Sequence, residues 1–144
     1  MKAIHTLSSL LLGLALAAPA AAQTYQLTEV GPTCGADLRG QVVSSPAGSG
    51  VRLGLRSVVD NGLAVLAIGS RRPTPVQLPG GQCDLYVDPR ATQLQRTGPR
   101  GYARFAFRIP PVVPIRIAFQ AVVLDVRPTG LRAASSDVII LQGQ

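Results

Sequence analysis

Residues 51–88 read VRLGLRSVVDNGLAVLAIGSRRPTPVQLPGGQCDLYVD, and the pattern in this stretch decides the fold. Val51, Leu53 and Leu55 alternate with Arg52, Gly54 and Arg56, the period of two that marks a strand with one buried face. Asp60-Asn61-Gly62 reads as a tight hairpin turn, because Asn and Gly tolerate the positive φ such a turn needs. Leu63 to Ile68 runs back as a strand; its short length between Gly62 and Gly69 argues against a helix. Ser70 to Gln82 is punctuated by Pro73, Pro75, Pro79, Gly80 and Gly81, and reads as a connection whose Pro-x-Pro piece lies extended on the surface. Cys83 to Val87 is the next strand, stopped by Asp88-Pro89.

The same reading extends in both directions. Upstream, Tyr25 to Val30 is a short first strand ended by Gly31-Pro32, and Leu38 to Val43 is a second. Ser44 to Gly50 has the composition of a loop. Downstream, Arg90 to Arg100 reads as a polar, mobile loop. Gly101 to Ile109 alternates again: Ala103, Phe105, Phe107 and Ile109 share one face, Tyr102, Arg104 and Arg108 the other. Pro110, Pro111 and Pro114 interrupt. Ile115 to Val126 is a long strand with Ile115, Ile117, Phe119, Ala121 and Val123 on one face. Pro128-Thr129-Gly130 turns the chain, Leu131 to Ser136 is a weak segment, and Val138 to Leu141 is a last, central strand. About eight strands with Gly and Pro turns and no helix predict an all-β fold, an antiparallel β-sandwich or jelly roll. With three Phe and no Trp, its core should be aliphatic.

Residues 1–22 read as a secretory signal peptide. Lys2 gives the positive start, Leu7 to Ala17 the apolar region, and Ala20-Ala21-Ala22 the small residues before cleavage at Gln23. The apolar run is short for a membrane span, and no later stretch is long enough for one. The expected product is a single domain over residues 23–144, secreted or periplasmic. It carries 13 Arg and no Lys against seven acidic residues, a basic balance that attracts anionic partners. Cys34 and Cys83 are the only cysteines. In an oxidising compartment they are expected to pair, and nothing near them has the spacing of a redox site.

Several short motifs resemble a small secreted β-domain of planctomycete- and myxobacterium-like bacteria. They are Gly31-Pro32-Thr33-Cys34-Gly35, Leu66-Ala67-Ile68-Gly69-Ser70, Cys83-Asp84-Leu85-Tyr86-Val87-Asp88-Pro89, Phe107-Arg108-Ile109-Pro110 and Gln120-Ala121-Val122-Val123-Leu124-Asp125. The resemblance implies the same small β fold and the Cys34–Cys83 pairing; that family has no established activity. The matching stretches in it carry less charge than Arg52, Arg56, Arg104, Arg108 and Arg116 give here.

Composition weighs against catalysis. The only His is His5, in the leader, which removes Ser-His-Asp and Cys-His arrangements and any histidine metal site from the rest of the chain. Asp84 and Asp88 share a strand face, but four residues of strand separate them by roughly 13 Å, too far for a glycosidase pair. Asp88 and Asp60 read as turn residues, and no Asp-rich calcium loop joins them with Asp84 and Asp125. No cofactor or metal is expected. Two non-catalytic roles remain. One is a structural or protein-interaction domain of the envelope, whose arginines serve solubility. The other is a binding module in which Arg52, Arg56, Arg104, Arg108 and Arg116, with Tyr102 as a stacking surface, meet anionic polysaccharide or an anionic envelope lipid surface. Nucleic acid is a poorer fit for an exported chain without an aromatic-basic motif.

Overall fold

A computed structural model describes residues 23–80, 82–111 and 114–144; the leader read at residues 1–22 lies outside the described residues. Eight strands follow one another: β1 (Tyr25–Val30), β2 (Ala36–Ser45), β3 (Gly48–Ser57), β4 (Leu63–Gln77), β5 (Asp84–Arg96), β6 (Tyr102–Arg108), β7 (Ile115–Arg127) and β8 (Gly130–Gly143). They form a five-stranded sheet in the order β1-β8-β7-β4-β5 and a three-stranded sheet in the order β2-β3-β6. Every neighbouring pair is antiparallel. This is the expected antiparallel sandwich of eight strands with one disulfide.

The three-stranded sheet has one buried face, which is why its strands alternate. Leu38, Val51, Leu53, Leu55, Ala103 and Phe105 point inward and are buried. They meet Ala64, Leu66, Phe119, Ala121, Val123, Ile139 and Leu141 from the larger sheet. Phe107 stacks on Phe119 with ring centroids 5.8 Å apart, and aliphatic side chains fill the rest.

Strands β7 and β8 do not alternate. Ala118 to Val123 and Ala134 to Leu141 are buried at every position. A strand buried on both faces needs a cover on both. The small sheet covers the inner face, and the far half of the β4–β5 hairpin covers the outer one. β4 pairs with β7 only from Leu63 to Gly69. At Gly69, where a Cβ would collide with the Asp88 carbonyl, the register with β5 shifts, and it shifts again between Arg71 and Val76. Beyond these bends Leu85, Tyr86 and Val87 pack on Ala67, Ala118, Val138 and Ile140.

This arm is fastened at two points. Gln120 of β7 is fully buried. Its Oε1 accepts the Tyr86 N–H at 2.6 Å, and its Nε2 donates to the Asp84 and Ser136 carbonyls, each at 3.0 Å. A side-chain amide thus takes the place of a strand rung between β7 and the arm. The second point is covalent: Cys83, one residue before β5, is bonded to Cys34, with Cα atoms 5.7 Å apart and a sequence separation of 49. Closing a loop of that length in the unfolded chain is worth about 4 kcal/mol in the chain-entropy picture.

Several connections differ from the sequence expectation. Asn61 has the positive φ, 52°, read from its turn motif. The turn, however, closes no hairpin: β3 and β4 belong to different sheets, and residues 58–62 carry the chain across the sandwich. Thr97 holds this crossing, accepting the Gly62 N–H at 2.8 Å and donating to the Val59 carbonyl at 3.2 Å. The tight hairpins lie elsewhere. Ser44 and Ser45 pair with Ser49 and Gly48, so the expected loop of residues 44–50 narrows to a turn at Pro46-Ala47. Residues 70–77, expected as part of a connection, and 90–96, expected as part of a mobile loop, are strand, and β5 runs on through the Asp88-Pro89 expected to stop it. Backbone pairing in a hairpin does not require apolar side chains, and Pro89 is tolerated because β5 is an edge strand.

Asp137 ties the two sheets together at the opposite side. It is buried, and its Oδ1 accepts the Leu38 N–H of β2 at 3.3 Å. Desolvation raises its pKa above the ordinary carboxylate value; the Leu38 hydrogen bond opposes this, and Glu29 and Asp37 add to the rise. A carboxyl whose folded pKa is raised binds its proton more tightly in the native state than in the unfolded one. The stability this gives is complete at low pH and is lost as pH rises through the folded pKa.

Two outcomes are expected. Gln120→Leu leaves the Tyr86 N–H and the Asp84 carbonyl without partners and lowers unfolding stability by about 2–3 kcal/mol in urea titrations; a loss below 0.5 kcal/mol would mean the arm is held without it. Asp137→Asn keeps an acceptor for Leu38 and removes the charge. It should be more stable than wild type at neutral pH, with the gap closing as pH falls into the carboxylate range; a gap that widens on acidification contradicts the assignment.

Candidate anion-binding face

The outer face of the three-stranded sheet is built from the residues that alternate with the core. The strand registers place them in four cross-strand rows. Asp37, Arg56 and Tyr102 make the first, Arg39, Gly54 and Arg104 the second, Gln41, Arg52 and Ala106 the third, and Val43, Gly50 and Arg108 the fourth. Five arginines share this face with one carboxylate. Four of them step between neighbouring strands in the order Arg56, Arg104, Arg52, Arg108. Positions two apart on a strand are roughly 6.8 Å apart, and diagonal neighbours on adjacent strands about 7–8 Å. The four therefore trace a zigzag track along β3 and β6.

No arginine on the track stands directly opposite another. Arg104 faces Gly54, Arg52 faces Ala106, Arg108 faces Gly50, and Arg56 faces Tyr102. The Arg56 guanidinium lies 5.9 Å from the centre of the Tyr102 ring, within cation–π range. Arg39 is occupied: its Nη1 is 2.6 Å from Glu29 Oε2 and its Nε 3.1 Å from Asp37 Oδ2. Hydrogen bonds to Asp37 and Glu29 hold it more firmly protonated than a free arginine. Among the described residues, Arg52, Arg56, Arg104 and Arg108 make no ion pair, and all four are exposed.

A cleft of about 780 Å³ opens on this face. Gly54 lies in its floor, with open space where a Cβ would stand. Arg39, Gln41, Arg52 and Arg104 surround it, and Gln93 and Gln95 of β5 line it from the edge of the other sheet. Gln93 Oε1 is shut off from solvent and has no hydrogen-bond partner among the described residues.

Of the residues singled out from sequence, Arg52, Arg56, Arg104, Arg108 and Tyr102 are brought together here. Arg116 is not. β7 belongs to the five-stranded sheet, and Arg116 lies on the far side of the sandwich in a separate cleft of about 590 Å³ with Arg71 and Arg72. Arg72 is 3.7 Å from Asp88 Oδ1, so Asp88 is engaged within the arm. Cys34 and Cys83 are joined as expected. Arg39 and Gln41 were missed, although the alternation Leu38, Gly40, Val42 implies their orientation. Gln93 and Gln95 lay in a stretch read as loop, and no local pattern marks them.

No family model matches the chain, and neither the curated proteins nor the solved structures include a significant match to it. What the face can do rests on its own chemistry. Guanidinium groups offer paired donors to carboxylate, sulfate or phosphate, and no three His, Cys, Asp or Glu side chains gather as a metal set among the described residues.

Because a Cβ at Gly54 meets nothing, Gly54→Thr should fold normally. Removing a strand glycine is expected to raise stability by about 0.5–1 kcal/mol, read as a higher urea midpoint. A lowered midpoint would mean that the floor is filled by packing.

Proposed function

We propose that this protein is a non-catalytic binding module, working outside the cytoplasm, that holds anionic polymers on the outer face of its three-stranded sheet. The observation that carries this reading is the track Arg56, Arg104, Arg52, Arg108: four exposed arginines without carboxylate partners, on adjacent strands of one rigid sheet. Arginines kept only for solubility are commonly interspersed with acidic residues. Here the acidic side chains near the face, Asp37 and Glu29, both pair with Arg39, and the track is left to outside partners. A formed disulfide fits an oxidising compartment, which supports secretion or a periplasmic location.

A second reading, a structural or protein-interaction domain, draws on one end of the sandwich. Val58 and Val126 are 80% and 83% exposed there, and Leu131, opposite Val126 in the β7–β8 hairpin, is 37% exposed. Val58 and Leu131 line a cleft beside the disulfide.

Titration of the disulfide-intact protein with acidic and neutral polysaccharides, and with vesicles containing anionic lipid, separates the two. Saturable binding to an acidic polymer should persist at physiological salt and weaken in Arg52→Gln, Arg104→Gln and Arg108→Gln. If the arginines release counterions on binding, each substitution should flatten the slope of log K against log salt by about 0.7–0.9. Binding seen only at low salt, or unchanged in these variants, sinks the proposal and leaves the apolar end as the interaction surface.

A further inference from the structure

Resting on that reading, we infer that the glycine-floored cleft is a subsite for an acidic sugar unit, so that the polymer recognised is an acidic polysaccharide and not an anionic lipid surface. The cleft combines two chemistries. Arg52 and Arg104 flank Gly54 and are free of carboxylates, which suits one anionic group per unit held between paired donors. The remaining polar lining is amide. Gln41, Gln93 and Gln95 offer both N–H donors and carbonyl acceptors, and a hydroxyl is the group that uses both.

Gln93 gives this inference its direction. A shielded carbonyl oxygen without a donor is an uncommon arrangement that calls for a partner. Turning the amide toward the cleft frees Oε1 to accept from a hydroxyl. Carboxylate, sulfate and fully ionised phosphate groups have no proton to donate; sugar hydroxyls do. The floor supplies the room. Gly54 has nothing within 4 Å of a built Cβ, Ala106 lies beside it, and a volume of about 780 Å³ is within the range of small-molecule sites. A membrane surface has no need of a recess below the arginine heads, whereas a ring laid on the sheet between Arg52 and Arg104 occupies it.

The test compares three probes on the intact, disulfide-bonded protein by calorimetric titration: oligogalacturonate, which has carboxylates and hydroxyls; polyacrylate, which has carboxylates alone; and vesicles of anionic phospholipid. Three variants are used, Gln93→Met with Gln95→Met, Gly54→Thr, and Arg52→Gln. The double Met variant should lose about tenfold in affinity for oligogalacturonate, the cost of about one hydrogen-bonding group, and keep wild-type affinity for polyacrylate. Gly54→Thr should weaken oligogalacturonate binding at least as much while remaining folded by urea titration. Arg52→Gln should weaken both polymers. Equal losses for the two polymers in the double Met variant, or none, overturn the hydroxyl assignment while leaving the anionic-polymer reading intact. Tighter binding to vesicles than to oligogalacturonate overturns the saccharide assignment. Failure of all three probes at physiological salt removes the underlying reading, and the subsite with it.

Discussion

The structure depends on the fact that β7 and β8 are buried on both faces over Ala118 to Val123 and Ala134 to Leu141. A half-buried strand is satisfied by one packing partner; these need two. The three-stranded sheet is one. The other is the β4–β5 arm, which leaves its pairing with β7 after Gly69 and lays Leu85, Tyr86 and Val87 over Ala118, Val138 and Ile140. An arm with so small a contact set needs fixing. Gln120 does this by hydrogen bonding to the arm's backbone from a fully buried site, and the Cys34–Cys83 bond does it by chain topology. The two act differently. The amide contributes only when the arm is seated, while the disulfide shortens the search for that position in the unfolded chain.

Because the arm covers the large sheet, the outer face of the small one is left uncovered. That face carries four arginines that make no ion pair among the described residues. A sheet with one dry side can tolerate arginines on the wet side at little cost, since each guanidinium stays hydrated on a flexible stem. The division of labour is visible in burial: the inward residues Leu53, Leu55 and Phe105 are at most 2% exposed, while Arg52, Arg56 and Arg104 beside them are exposed.

Much of this was legible in the sequence where the physics is local. Alternation in β3 and β6 gave both the strands and the side on which Arg52, Arg56, Arg104 and Arg108 stand, since a period of two is set by the backbone itself. The positive φ of Asn61 was legible for the same reason. What the turn connects was not, because a tight turn serves a crossover between sheets as well as a hairpin. Pairing partners depend on contacts far apart in sequence, which is why Arg116 was grouped with arginines on the opposite face. The far end of β5 was hidden for another reason: Arg90 to Arg96, paired from Ala91 onward with Leu63 to Ile68, is polar because it is an edge strand, and polarity by itself resembles a loop. Gln120 gave no signal at all, since its burial follows from what the arm does.

The arrangement of the arginines adds a last constraint. Like charges directly opposite on neighbouring strands, about 5 Å apart, destabilise a sheet. Setting Gly50, Gly54, Ala106 and Tyr102 opposite them moves each nearest arginine to a diagonal of about 7–8 Å. At the dielectric of water this lowers the repulsion per pair from about 0.8 to about 0.6 kcal/mol, and salt screens the longer distance more strongly. The gain per pair is small, yet it recurs at each step of the track. Of the residues set opposite, Gly50, Gly54 and Ala106 are small and leave space between the guanidinium heads. Spacing that limits self-repulsion in the free protein is thus also spacing that would admit the anionic chain proposed above, so charge density and access arise from one alternation of large and small side chains.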